Sequence, residues 1–246
     1  MLEKKYNTSL EILAQTSKKT YLQNQEAFSN LKNLQTFCNA TITAGAGCSC
    51  ASMFLNPALG LIGGFLSLSI IELSKPVDRL VLVMEALLKI DGIIVTPRIK
   101  TEHGTIDLLV KMPDRRRFAI ALRSKPNSRI KWRKEEQMFF ANTSRKIGSS
   151  KRIKRWPELL EVGQNLNKSI ILLNKQKSSL LGASGSEFRL PVVKAIVLTS
   201  STIIDPANEP DLFVKFGATT VLKVHSGSNI YVLHQSDLTK FVEKVS

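Results

Sequence analysis

Gly104-Thr-Ile-Asp-Leu-Leu-Val110 and Phe118-Ala-Ile-Ala-Leu-Arg-Ser-Lys125 are two apolar runs joined by a short basic turn, Lys111 to Arg117. Their length and their bounding turn residues read as two strands, 105–111 and 117–123, paired in a hairpin. One acid, Asp107, interrupts the first run, and one cation, Arg123, closes the second. Removing a carboxylate from water is costly unless it is paired. An acid inside Ile-Asp-Leu-Leu-Val therefore needs either a functional role or an outward-facing position on a half-exposed strand.

Upstream of the hairpin, Val77 to Ile90 carries Leu80, Val83, Met84, Leu87 and Leu88 at helical spacing, with Glu85 among them. Pro76 is the expected start of this helix and Asp91-Gly92 its end. Ile93-Ile94-Val95 then reads as a strand, and Glu102-His103-Gly104 as a turn. Downstream, the basic segment 124–134 leads to an expected helix over Glu135–Ser144. Lys151-Arg-Ile-Lys-Arg155 precedes a second helix near Pro157–Gln164. Residues 165–187 read as a loop apart from Ile170–Leu173. Val192 to Leu198 is an apolar strand, with further strands at Thr219–Val224 and Ile230–Leu233, and Ser236 is placed to cap a terminal helix.

The N-terminal third is of another character. Residues 8–40 read as a polar, partly amphipathic helix. From Thr41 to Ile71 there is no charged residue, and Gly and Ala are dense around an Asn56-Pro57 break. About 20 apolar residues suffice to cross a bilayer, and small residues let helices approach closely. Segment 41–73 is thus expected to be a helical hairpin turning near Asn56-Pro57. It is a candidate for membrane association or self-association, with burial in protein as the alternative. Three divisions follow: 1–40, 41–75 and 76–246. The polar opening argues against a signal peptide. Cys38, Cys48 and Cys50 form neither a metal motif nor an even disulfide set, which points to an intracellular location with the 76–246 domain in the cytoplasm.

Net charge is +15 and the sequence pI about 9.9. Between Pro113 and Arg155 there are fifteen Lys or Arg against three acids, so one stretch carries most of the excess. Such a block suits an anionic partner, nucleic acid before acidic lipid. Nothing points to a small-molecule substrate. The candidate nucleic-acid contacts are Arg115, Arg116, Arg117, Lys125, Arg129, Lys131, Arg133, Lys134, Lys151, Arg152, Lys154 and Arg155. Trp132 stands among them and Trp156 follows them, suiting phosphate contact combined with base stacking.

The acid–turn–cation hairpin after an apolar helix resembles that of the PD-(D/E)xK nucleases, the restriction-endonuclease-like superfamily, in its nuclease-related and Holliday-junction-resolvase-like branch. The resemblance covers residues 77–245. It implies an α/β fold: a mixed sheet flanked by helices in the order helix, three strands, helix, strand. In that family an Asp and a Glu-x-Lys triplet from adjacent strands converge on a metal ion, Mg²⁺ or Mn²⁺. Asp107 aligns with the first acid and Glu85 with a helix Glu often seen there. Ala121-Leu122-Arg123 aligns with the triplet, so Ala121 replaces the metal-binding Glu and Arg123 the Lys. Arg stays charged and serves poorly for proton transfer, but its forked donors clamp phosphate well. The expectation is a degenerate nuclease fold that binds nucleic acid, with DNA ahead of RNA. Two alternatives stand beside it. One is an active metal-dependent nuclease in which Glu102, Glu135 or Glu136 supplies a relocated acid, and the other is a membrane scaffold whose basic face holds anionic lipid.

Overall fold

The structure, a computed structural model, describes residues 23–47, 57–143, 152–175, 191–205 and 210–245; for 57–69 only the backbone is described. The chain divides into two compact units, Met1–Ala86 and Leu87–Ser246.

In the first unit α1 covers residues 23–47 and α2 covers Pro57–Leu87. Proline suits the first helical position, where its missing N–H costs nothing. Gln35 Nε2 donates to Asp78 Oδ1 at 2.7 Å, tying the two helices together. The expected turn at Asn56 lies outside the described residues. The expected helix start at Pro76 is corrected: α2 runs through it without a break. Pro76 removes one ladder bond to Glu72. Separately, the Glu72 carboxylate pairs with Lys75 Nζ at 2.8 Å, which holds its pKa below the usual range. Among the described residues, no helix is long and apolar enough to cross a membrane.

The second unit is α/β. Its main sheet has seven strands in the order β1-β2-β3-β7-β11-β10-β9. These are β1 (Ile94–Thr101), β2 (Gly104–Lys111), β3 (Arg117–Arg123), β7 (Val192–Leu198), β9 (Phe213–Phe216), β10 (Thr219–His225) and β11 (Asn229–His234). The pairings β3–β7 and β7–β11 are parallel and the others antiparallel, so the sheet is mixed. Helix α3 (Pro157–Lys175) packs on one face, with Leu159, Gly163, Leu166, Ile170 and Leu173 buried at alternating intervals of four and three. It seats closely because position 163 is glycine: a Cβ there would meet Ile230 Cδ1 at 2.5 Å. The opposite face carries an aromatic cluster, in which Phe241 of α4 (Leu238–Lys244) packs against Phe118, Phe216 and Tyr231. Covered on both sides, β3 is buried from Arg117 to Leu122, as a central strand should be.

A second sheet, β6-β5-β4-β8, comprises β4 (Ser128–Arg133), β5 (Met138–Thr143), β6 (Arg152–Arg155) and β8 (Ile203–Ile204). Two exits from the main sheet build it. Thr199 N–H donates to Arg123 O at 2.9 Å, Lys125 N–H to Thr202 Oγ1 at 2.8 Å and Asn127 N–H to Ser201 Oγ at 2.8 Å. The parallel pair β3–β7 is thereby handed on to the parallel pair β4–β8. The inner face of this sheet, Ile130, Trp132, Phe139 and Ala141, joins the core beneath α3.

Several expectations are corrected here. Glu135–Ser144 is not a helix: residues 134–137 turn a hairpin and Met138–Thr143 is a strand. Ile170–Leu173 belongs to α3, which continues to Lys175. The N-cap of α4 is Asp237, without a side-chain cap bond. His234 instead accepts from Ser236 N–H at the short turn before it.

Candidate functional site

Asp107 and Arg123 meet where β2 and β3 part. Arg123 Nη1 lies 3.0 Å from Asp107 Oδ2, and Leu122 N–H donates to the same oxygen at 2.7 Å. The β2–β3 ladder runs from Lys111↔Arg117 to Leu108↔Ile120, and at the next step the Asp107 carboxylate takes the bond a backbone carbonyl would take. Arg123 Nη1 also donates to Leu122 O at 2.7 Å, so its guanidinium folds back over its own strand.

A local irregularity on β1 and β2 accompanies this arrangement. Successive strand residues point to opposite faces, yet Ile106 and Leu109, three apart, lie in the same core cluster. Their partners Ile99 and Thr96 are likewise three apart. The break falls at Asp107 and at Arg98, whose φ of +54° is left-handed. A non-glycine residue takes that conformation only at a cost. The strands thus change faces at the acid, whose side chain turns along the sheet toward Leu122.

A catalytic Mg²⁺ needs several oxygen ligands in near-octahedral geometry. The residues present do not fit one. Asp107 is committed to a guanidinium and a backbone N–H, and Ala121, fully buried, supplies no oxygen. Among the described residues, no three of His, Cys, Asp and Glu gather as a metal group. The relocated-acid candidates lie elsewhere. Glu102 is exposed in the β1–β2 turn, Glu135 is exposed in the β4–β5 turn, and Glu136 pairs with Arg133 at 2.7 Å and Arg155 at 3.5 Å. Glu85 is exposed on α2, in the first unit.

The basic stretch 113–155 separates into two populations. At the β2–β3 turn, Arg117 is buried to 1% exposure. Arg116 pairs with Asp114 at 2.6 Å and donates to the carbonyls of Glu243 and Val245, holding the end of α4. Only Arg115 of the three is exposed, at φ +70°. Lys125 is half-buried with Nζ 5.0 Å above the Trp156 ring. These side chains brace the fold.

On the second sheet the cations face outward. β4 alternates strictly: Ser128, Ile130 and Trp132 are buried, while Arg129 and Arg133 are exposed and Lys131 is intermediate. Cross-strand register adds Arg155 of β6 to the same outer face, through Lys131↔Phe140 and Phe140↔Arg155. Asp205 pairs with Lys131 at 3.2 Å, so the face is cationic but not unopposed. Lys134 is exposed in the adjoining turn, and Lys154, whose register partner is the inward Ala141, is exposed on the other side of β6. Lys151 and the Arg152 side chain lie outside the described residues. The indoles are not on this face. Trp132 is 7% exposed and packs edge-on against Phe139 at 4.7 Å, and Trp156 is 8% exposed. The expected pairing of Trp132 with the cations beside it is therefore corrected: the strand period sends the indole to the face opposite Arg129, Lys131 and Arg133, while Trp156 lies beyond the end of β6 and meets Lys125 instead.

No family model matches the chain, and neither a curated protein nor a solved structure matches it.

Proposed function

We propose that this chain binds nucleic acid through the outer face of its second sheet, on an α/β scaffold similar to the PD-(D/E)xK nucleases whose hydrolytic centre is closed by its own ion pair. One observation carries the reading: Arg129, Lys131 and Arg133 stand in a row along β4, with Arg155 across the sheet from them. Residues two apart on a strand are separated by about 7 Å, so the row lays charge along a line rather than at a point. Phosphate contacts of this kind supply sequence-independent affinity and make it fall with salt.

The Asp107–Arg123 pair supports binding without cleavage. Arg123 neutralises Asp107, the acid on β2, and stands where the family's lysine would. The uncharged run 41–71 supports a tether, to a membrane or to a second copy, for this binding unit.

A salt titration of DNA binding, run beside a cleavage assay with Mg²⁺ or Mn²⁺, tests the reading. The expected result is salt-sensitive binding with no turnover. Metal-dependent cutting that Asp107→Ala abolishes would overturn the closed-centre reading. Binding to anionic vesicles but not to DNA would replace nucleic acid with lipid. Ala121→Glu with Arg123→Lys should raise Mn²⁺ affinity, read by calorimetry, while lowering stability by placing a carboxylate at a fully buried position.

A further inference from the structure

The outer face of the second sheet holds one cation differently from the rest. Arg133 Cζ sits 4.3 Å above the centroid of the Phe140 ring. Its Nη1 donates to Glu136 Oε1 at 2.7 Å. The guanidinium is thus supported on one side by the aromatic ring and fixed at its edge by a carboxylate, while the side chain keeps 46% of its surface exposed. Phe140, only 7% exposed, offers no ring to solvent itself. The group held above it is the Arg133 guanidinium.

The same face carries two exposed aliphatic side chains. Ile203 and Ile153 are 44% and 52% exposed, and the register Ile203↔Arg129↔Asn142↔Ile153 puts them at the two ends of one cross-strand row. Phosphates do not call for apolar side chains. The faces of unpaired bases do, and such bases stack on arginine planes as well as on aromatic rings. In a duplex those base faces are hidden. The major groove admits a helix or a two-stranded ribbon, and a face four strands wide exceeds that.

We infer that this face is a single-strand binding platform: an unpaired base stacks on the Arg133 guanidinium held over Phe140, while Arg129 and Lys131 follow the phosphates and Ile153 and Ile203 meet the neighbouring bases. The inference rests on the nucleic-acid reading above and narrows its partner to unpaired strands.

The test compares a labelled mixed-sequence oligonucleotide with the blunt duplex formed by annealing its complement, each titrated with the full chain across a salt series. The single strand should bind more tightly. Arg133→Lys keeps the charge and removes the plane, so it should weaken single-strand binding about tenfold. Duplex binding should fall less than single-strand binding, because the charge that meets phosphate is kept. Ile153→Ser with Ile203→Ser should likewise weaken the single strand alone, and circular dichroism with thermal melting checks that both variants remain folded. Equal affinity for the two forms, with Arg133→Lys silent, would overturn the platform and leave nucleic-acid binding standing. Binding to neither form at low salt would overturn both.

Discussion

The turn between β2 and β3 and the outer face of β4 are equally basic in sequence, yet their cations do opposite things. At the turn, Arg117 is buried and Arg116 grips the carbonyls at the end of α4. On β4, Arg129 and Arg133 alternate outward from a core of Ile130 and Trp132. Local charge density is the same kind of signal in both places. Position relative to the core decides whether a cation braces the protein or meets a partner.

Substitutions can break or sharpen that contrast. Arg117→Ala should have the largest effect on stability, a loss of about 3 kcal/mol from emptying a buried, polar site. Urea unfolding would measure it, and the salt slope of nucleic-acid binding should not move. A stability change under about 0.5 kcal/mol, as for an ordinary surface site, would place Arg117 with the outward population. Asp107→Ala comes next, with about 2 kcal/mol expected, because it removes the acceptor of a partly buried N–H and the partner of Arg123. Asp107→Asn should lose less, since an amide oxygen still accepts from Leu122.

Lys194 tests the same distinction on β7 of the main sheet. Its Nζ donates to Asn167 Oδ1 at 3.0 Å, and burial pushes its pKa below the usual lysine range. Below the lowered pKa both folded and unfolded chains carry the proton, so the cost of burying the charge is present in full. As pH rises through that pKa toward the unfolded value of about 10.4, the folded chain loses its proton first and the cost is relieved. Lys194→Met should therefore raise stability at neutral pH and flatten the alkaline rise. The gain should be only about 0.5 kcal/mol, because water reaching this half-buried amine screens it. Chemical denaturation at several pH values reads both effects. Arg129→Ala should change stability least, by under about 0.5 kcal/mol. It should still lower the duplex log–log salt slope by about 0.9.

Much of the main sheet was legible because its strands are apolar and bounded by clear turns. Val192 to Leu198 is β7 as expected from sequence, and the hairpin strands match to within a residue at one end. The second sheet was not legible as a sheet. Glu135-Glu136-Gln137 resembles the acidic first turn of a helix, but Gln137 takes a φ of +45° and reverses the chain. Ser-Arg-Ile-Lys-Trp-Arg, residues 128–133, carried a readable strand period. Its dense charge masks the alternation that turns Trp132 inward. For the candidate site, Asp107 and Arg123 were placed on neighbouring strands correctly. The backbone bond from Leu122 N–H was beyond reach, since nothing in residue type marks where a ladder hands over to a side chain.

The parallel pairing at the centre of the sheet has a kinetic consequence. Arg117 meets Val192 across a stretch of chain that holds β4, β5, β6 and α3, so the pairing is distant in sequence. Pairings this distant in sequence form slowly. The β1–β2–β3 meander, built from short connections, can close much sooner. Until β7 arrives, β3 offers an open edge on a strand that is apolar toward both faces, an invitation to pair with another chain. The arginines of the preceding turn stand at the entrance to that edge, where charge discourages intermolecular pairing. Their value to the protein would then be greatest before the native structure exists, and visible in refolding yield at high concentration.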